Sequence, residues 1–391
     1  KAVANIVEMN IASGLSQFYA KQGRLSSNEM ADKVRQLFAL DADMSDYYNH
    51  ELADGKWNHM MDQPHIGQFG WEPPRINILP PISGILPEYN NNYGVAIEGN
   101  INAWPGHYGA AVLPTFDSFQ PRKSYIEVFA EGTLSIEYSI EADKNWIVVT
   151  KDIAERTDDR YWVEIDWDQA PEGSSSGIIH VTGTRDNVEV RVNAIKATEE
   201  QKQEAKGRFA TITGVTVINA KDAVNKINTN SVRWEEIPGY GRTEAAISMY
   251  PVTAESILPP EPAPTLEYPV YLPKAGNYEV TLVVGPVMDF VPDRGMRIAV
   301  SFDEEDPQVL DLFENRASQT FLGGNWYGVT RDNVRRKSSV HTLKTSGKHM
   351  LKVRMVDPAI VLEKIIIRPT NISLPESYFT PPSNALFLNE N

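Results

Sequence analysis

The chain contains no cysteine, which excludes disulfides, thiolate metal sites and cysteine nucleophiles. That absence leaves the compartment open, because exported bacterial proteins also do without cysteine. No run approaches the roughly 18 apolar residues that span a membrane, so no membrane span is expected. Basic residues are in short supply: 37 Lys and Arg face 52 Asp and Glu, a formal charge of -15. Nucleic acid is therefore not an expected partner, since phosphate recognition needs basic surface. The chain opens on Lys1 without a signal-like charged and apolar pair of regions. It starts inside a helical pattern, so the expectation is that a longer protein lies upstream. What is present is 391 residues, 41% hydrophobic and 23% charged, enough for two or three domains rather than one core.

Val3, Ile6, Val7, Ile11, Leu15, Phe18 and Tyr19 recur at three- and four-residue steps, which predicts one face of a helix. Gly23 ends it. Ser26 and Glu29 form a capping-box pattern ahead of a second stripe, Met30, Val34, Leu37 and Phe38. Ser45 is read as the cap of a third helix through Tyr47, Tyr48 and Leu52. Such broad apolar faces call for further helices to cover them. From Asp62 to Pro87 the chain turns proline-rich and is read as an extended segment lying over other structure. Residues 1–88 are thus expected to be a partial helical bundle with a proline-rich extension, and 89–123 an irregular connector.

From about Ser124 the period becomes two. Tyr125–Phe129, Leu134–Ile140, Trp146–Thr150, Tyr161–Ile165, Ile178–Val181 and Val188–Ile195 read as short strands of an immunoglobulin-like sandwich over 124–197, with Trp146 and Trp162 in its core. The charged stretch Thr198–Gly207 reads as a linker. Residues 208–391 are expected to form a C-terminal jelly-roll sandwich, with Ala254–Pro264 a proline-rich loop between strands. The expected fold class is multidomain and mainly β with an N-terminal α-helical segment.

The string from Gly55 to Gly67, GKWNHMMDQPHIG, followed by Trp71 and Pro73-Pro74-Arg75, resembles the C-terminal region of glycoside hydrolase family 115, the xylan α-1,2-glucuronidases. Phe18–Arg24, Tyr48-Asn49, Ile237–Thr243, Leu266–Tyr268 and Val356–Pro358 are similar to the same family. The resemblance implies a larger enzyme: an N-terminal domain, a (β/α)8 barrel, a helical bundle, then β-domains. It implies removal of glucuronic acid or its 4-O-methyl ether from xylan with inversion. Inversion needs an acid and a base carboxylate about 6.5–9.5 Å apart, with a water between. The family's carboxylates lie on the barrel. This chain does not read as eight alternating strands and helices, so no catalytic residue is assigned to it.

The candidate substrate-binding residues are Trp57, His59, His65, Trp71, Tyr240, Arg242 and Trp326. Aromatic faces stack on sugar C–H surfaces, and neutral histidine hydrogen-bonds hydroxyls or carboxylates. The competing reading has Trp57, Met60 and Met61 packing against another domain. His59, Asp62 and His65 are spaced like metal ligands but offer no fourth, so no metal is assigned. Trp326, in Gly323–Gly328, is read as a loop tryptophan that contacts a polysaccharide or a neighbouring subunit, or that tucks back onto its own sandwich. Arg331, Arg335, Arg336 and Lys337 form a local basic patch. Asp303–Asp306 is either a calcium-type cluster or a solvated turn. Arg242 either presents a bidentate guanidinium to a uronic acid or pairs locally.

The sequence therefore leads to the non-catalytic C-terminal portion of an exported, periplasmic or extracellular α-glucuronidase, with no cofactor. Its expected partners are glucuronoxylan or its oligosaccharides, the missing N-terminal and barrel domains, and a second copy in a homodimer. The alternative is a stand-alone glycan-binding β-sandwich protein.

Overall fold

The computed structural model describes residues 1–68, 72–154, 156–183, 187–242, 244–291, 294–313, 326–374 and 381–388. They form two compact units: Lys1–Phe116 with Arg122–Ala170 and Ser175–Ala194, and Asp117–Pro121 with Pro171–Ser174 and Ile195–Asn391. The chain is multidomain and mainly β, with helices at its N-terminus.

The first unit opens with α1 (Ala2–Lys21) and α2 (Ser26–Asp46), joined at Gly23, whose φ of +76° suits a residue without Cβ. The helices meet through Met9, Ala12, Val34 and Ile66. The buried face of α1 is Asn5, Met9, Ala12, Ser13 and Ser16, while the expected apolar stripe points out, with Val3, Val7 and Ile11 exposed by 76%, 53% and 58%. Small polar residues permit close approach, and their groups are used. Asn5 Nδ2 donates to the Leu37 carbonyl at 3.0 Å. Ser13 Oγ donates to the Pro81 carbonyl at 2.6 Å, which lays the proline-rich segment against the hairpin. Asn28 holds the same segment through both bonds to the Ile85 backbone, each 3.0 Å.

The third helix expected from Ser45 is instead the end of α2, followed by a π-turn, Tyr47–Glu51. The expected capping box is also used differently. The N-cap of α2 is Leu25, without a side-chain cap bond. Ser26 Oγ donates to Asp158 Oδ2 at 2.8 Å, and Glu29 accepts from Thr157 Oγ1 at 2.5 Å.

The sandwich of this unit contains β1 (Tyr93–Ile97), β2 (Ala103–Trp104), β3 (Ala111–Val112), β4 (Phe116–Asp117), β5 (Ser124–Ala130), β6 (Tyr138–Ala142), β7 (Ile147–Lys151), β8 (Asp159–Ile165), β9 (Gly173–Gly183) and β10 (Val188–Lys196). One sheet runs β2-β1-β5-β8-β7; the other runs β3-β10-β9-β6 with β4 also on β10. The segment expected as an irregular connector thus supplies β1 to β4, and Tyr93, Val95 and Ile97 lie in the core with Ile126, Val128, Val163, Val181 and Val190. Trp146 is in that core as expected. Trp162 is not: it alternates with buried Val163, and its ring stands edge-on to Tyr125 at 6.0 Å on the other face.

The helical hairpin joins this sandwich through Arg24, only 2% exposed. Its Nη1 donates to Glu127 Oε2 at 2.7 Å and Asp158 Oδ2 at 3.1 Å, and its Nε to Gln22 Oε1 at 2.7 Å. The guanidinium lies 4.4 Å from the Tyr19 ring centroid and 4.6 Å from that of Phe129. Arg160 takes the other oxygen of Glu127 with bonds of 3.0 and 2.5 Å. Burial works to raise Glu127, yet the Arg24 charge and bonds from both arginines hold it below the usual carboxylate value. Asp158 goes the other way: burial raises it beyond what Arg24 and Ser26 offset. Arg24 serves both acids, but Glu127 has Arg160 as well and is fully compensated, whereas Asp158 is not.

The second unit holds α3 (Glu199–Ala205), β11 (Arg208–Ala210), β12 (Thr216–Asn219), β13 (Asn225–Ile227), β14 (Arg233–Pro238), β15 (Ala245–Tyr250), β16 (Thr265–Leu272), β17 (Gly276–Val284), β18 (Arg297–Phe302), β19 (Gln308–Asp311), α4 (Trp326–Asp332), β20 (Arg335–Leu343), β21 (Gly347–Met355), β22 (Leu362–Pro369) and β23 (Leu386–Phe387). One sheet runs β19-β18-β21-β16-β11-β23 with β13 on β16; the other runs β14-β15-β22-β17-β20 with β12 on β22. Their inner faces share one core that includes Ile247, Tyr268, Val280, Leu282, Val300, Leu351, Val353 and Ile365. The expected linker is a capped helix: Thr198 Oγ1 accepts from the Gln201 amide at 3.3 Å, and Gln201 Oε1 accepts from the Thr198 amide at 2.9 Å.

Asp357, fully buried, anchors this unit. It takes Arg297 Nε at 2.8 Å and Nη2 at 3.1 Å, the Arg297 amide at 2.7 Å and Ser256 Oγ at 2.5 Å. Burial alone would raise this carboxyl; Arg297, Ser256 and the Arg297 amide together hold it low.

Candidate functional site

In the first unit, the segment after the π-turn winds through a cluster of left-handed residues: Ala53, Asp54 and His59 have φ of 55°, 58° and 70°, and Gly55 has 73°. For residues with a Cβ this conformation is disfavoured and persists only where the surroundings enforce it. Asn49, 4% exposed, is that enforcement. Its Oδ1 accepts the Met61 amide at 2.9 Å, and its Nδ2 donates to Asp62 Oδ1 at 2.8 Å. The other Asp62 oxygen lies 2.6 Å from His59 Nδ1. His59 and Trp57 are thereby set on the surface, with Lys56 Nζ 4.8 Å from the Trp57 ring centroid.

His65 turns away from that pair. Its Nε2 lies 2.9 Å from Asp41 Oδ2 and its Nδ1 3.0 Å from the Gln63 carbonyl. Both nitrogens thus lie within reach of oxygen atoms of the protein. His59, Asp62 and His65 therefore do not converge as metal ligands, and among the described residues no group of three His, Asp or Glu does so. Trp71 lies outside the described residues.

In the second unit, Tyr240 and Arg242 flank Gly241 in the turn after β14. Beneath them lies Glu363, 1% exposed, near the start of β22 where the register with β17 shifts between Val283 and Val284. Bulges re-aim side chains in this way. The Glu363 carboxylate lies 3.3 Å from the Arg242 amide. A Cβ on Gly241 would fall 2.5 Å from that carboxylate, and the residue has φ of +78°, so only glycine fits. Burial raises Glu363 despite the Arg242 amide, the Arg242 charge and Lys364. Burial and Arg242 together lower Lys364, against the opposing pull of Glu363. Arg242 donates its Nη2 to the Asp332 carbonyl, which is the local pairing of the two alternatives. Tyr240 is half-buried, with its hydroxyl against Gly285, and burial raises it.

Sequence reasoning missed the Glu363–Lys364 pair. Its signal was two charges inside the otherwise apolar run from Val361 to Ile367. Trp326 is the first residue of α4 rather than part of a loop, and 323–325 lie outside the described residues. The basic patch is divided: Arg331 and Arg336 bind Asp332 at 2.8 and 3.2 Å, while Arg335 is buried over the Phe313 ring. The acidic run clasps its own sheet. Asp303 meets His349 at 2.7 Å, Glu304 meets Lys352 at 3.1 Å, and Glu305 binds His341.

Residues 208–383 match the family model described as the glycosyl hydrolase family 115 C-terminal domain. The match takes in less than half of the chain and lies within the second unit. The resemblance read from the sequence is borne out. No curated protein matches the chain. Among solved structures, a family 115 4-O-methyl-alpha-glucuronidase with specificity for decorated arabinogalactans is 18% identical over 38% of this chain, with a TM-score of 0.29. The match covers 18% of that enzyme's length. The C-terminal family 6 carbohydrate-binding module of a laminarinase from Zobellia galactanivorans is 15% identical over 39% of this chain and 98% of its own, with a TM-score of 0.25. A Bacteroides uniformis beta-glucuronidase is 11% identical over 70% of this chain and 30% of its own, with a TM-score of 0.29. Among the described residues no helix is long and apolar enough to cross a membrane.

Proposed function

We propose that the chain is the non-catalytic C-terminal portion of a xylan α-1,2-glucuronidase that releases glucuronic or 4-O-methylglucuronic acid from xylan. The observation that carries this reading is the family 115 C-terminal domain over 208–383. In the proposal an upstream barrel supplies the acid and base carboxylates, and this chain braces it, contributes to a homodimer contact and works outside the cytoplasm. The outward apolar face of α1 supports the reading, because in a larger bundle a further helix would cover Val3, Val7 and Ile11. Within it, Trp57 and His59 are the side chains that the first unit offers to a sugar, and Tyr240 is separately the one offered by the second. His65, Arg242, Trp71 and Trp326 complete the proposed set.

The test compares uronic acid release from glucuronoxylan by this chain and by the full-length gene product. Release by the longer protein and none by the chain is expected. Release by the chain at a comparable rate would make it the catalyst and sink the proposal. Sugar binding by a gene product without an upstream barrel would establish the stand-alone binding protein instead.

A further inference from the structure

The sandwich of the first unit carries an open groove of about 280 Å³, lined among others by Trp104, His107, Gly109, Asn187, Glu189 and Arg191. None of these residues belongs to the candidate set above. Trp104 forms its floor: the ring is 6% exposed, and the indole N–H donates to the Gly109 carbonyl at 2.6 Å. His107 stands edge-on to it, centroids 5.6 Å apart and planes at 81°. Its Nε2 lies 3.4 Å from Asn102 Nδ2, and a Cβ on Gly109 would come within 2.8 Å of that same nitrogen. The ring is therefore held from both sides. Since the amide of Asn102 donates to Nε2, the neutral ring carries its proton on Nδ1. Beside His107, Tyr108 is fully exposed, at 108% of its reference surface.

The opposite wall is polar. Glu189 and Arg191 are two apart on β10 and share its outer face. Glu189 lies 3.8 Å from His180 across the sheet. The Arg191 side chain is exposed and makes no hydrogen bond or ion pair with any described residue. A free guanidinium next to a carboxylate presents a donor fork and acceptors side by side, the match for adjacent hydroxyls. A ligand carboxylate would meet Glu189 as well as Arg191, on a protein of net charge -15. Tyr108 stands in sequence between two lining residues, His107 and Gly109, with its ring open to solvent.

We propose that this groove binds one neutral sugar unit of a glycan chain. Arg191 and Glu189 hold its hydroxyls, and Tyr108 stacks on the next ring along. The site lies outside residues 208–383 and does not depend on the glucuronidase reading, since binding is measured without any hydrolysis.

The experiment is calorimetric titration of the chain with xylohexaose, cellohexaose and free glucuronate. Each is repeated for Tyr108→Ala and Arg191→Ala, with thermal melts to show that both variants fold; both side chains are exposed. The expected result is millimolar or tighter binding of a neutral oligosaccharide, weakened about tenfold by each substitution. Three results overturn the proposal: no neutral oligosaccharide binds at about 10 mM, the folded variants bind as the wild type does, or glucuronate alone binds.

Discussion

The two units each bury an arginine–carboxylate cluster, and the clusters are built to opposite rules. In the first, Arg24 is divided between Glu127 and Asp158, acids more than a hundred positions away in sequence. The arrangement ties helices to a sheet and leaves Asp158 raised. In the second, one carboxylate, Asp357, collects Arg297, its amide and Ser256, and stays low. Both are buried charges, yet only the first holds an acid, Asp158, that shares its one arginine with another. Removing one partner of such a cluster leaves an uncompensated charge in a low dielectric, and the penalty scales with how many charges are left.

The largest expected effect tests that scaling directly. Arg24→Ala leaves Asp158 without a cation and Glu127 with Arg160 alone, and should cost the first unit about 3–5 kcal/mol. Denaturant unfolding with hydrogen exchange will read it, as lost protection in α1, α2 and β5 with β16 to β22 unchanged. Asp357→Asn keeps an acceptor for Ser256 but removes the charge facing Arg297, so about 2–3 kcal/mol should be lost from the second unit alone. Equal losses for these two variants would break the contrast. Thr198→Ala removes the cap of α3 and should cost about 1 kcal/mol, seen as faster exchange of the Gln201 amide.

The smallest effect is a slope. The Asp158 carboxyl takes its proton at a higher pH in the folded state than in the unfolded one. Its contribution therefore improves as pH falls through that raised value and is lost as pH rises through it. Asp357, held low, does the reverse: its contribution is present above the unfolded carboxyl value and disappears only as pH falls through the folded one. Asp158→Asn should therefore gain less stability than the wild type as pH falls from neutral towards the ordinary carboxylate value, by calorimetric melting. An unchanged slope would mean that Arg24 compensates both acids.

The alternating strands were legible where burial follows period two, as in Val188–Lys196, where Val188, Val190, Val192 and Ala194 are buried and the residues between them are not. So was the stop at Gly23. The strands within 89–123 were not, since β2, β3 and β4 have two residues each and a period cannot be read from two residues. Leu134–Ile140 was placed early; the strand begins at Tyr138. The stripe on α1 was read as an apolar face that calls for further helices to cover it; it is exposed, and periodicity did not show that the hairpin packs through the other face. The capping box failed for a tertiary reason: Ser26 and Glu29 are bonded to Asp158 and Thr157, contacts that local spacing cannot reveal. At the candidate site, the tryptophans and histidines were visible as types. The carboxylate under Gly241 was not, because it arrives from 122 positions along the chain.

Arg24 has a practical consequence for anyone dividing this protein by recombinant expression. Composition suggests cutting where the prolines end, near Pro87, to obtain the sandwich alone. Such a piece would keep Glu127 and Asp158 and discard the guanidinium lodged between them. The shortest clonable version of this sandwich therefore begins upstream of Arg24, and the helical hairpin is one of its parts rather than its neighbour.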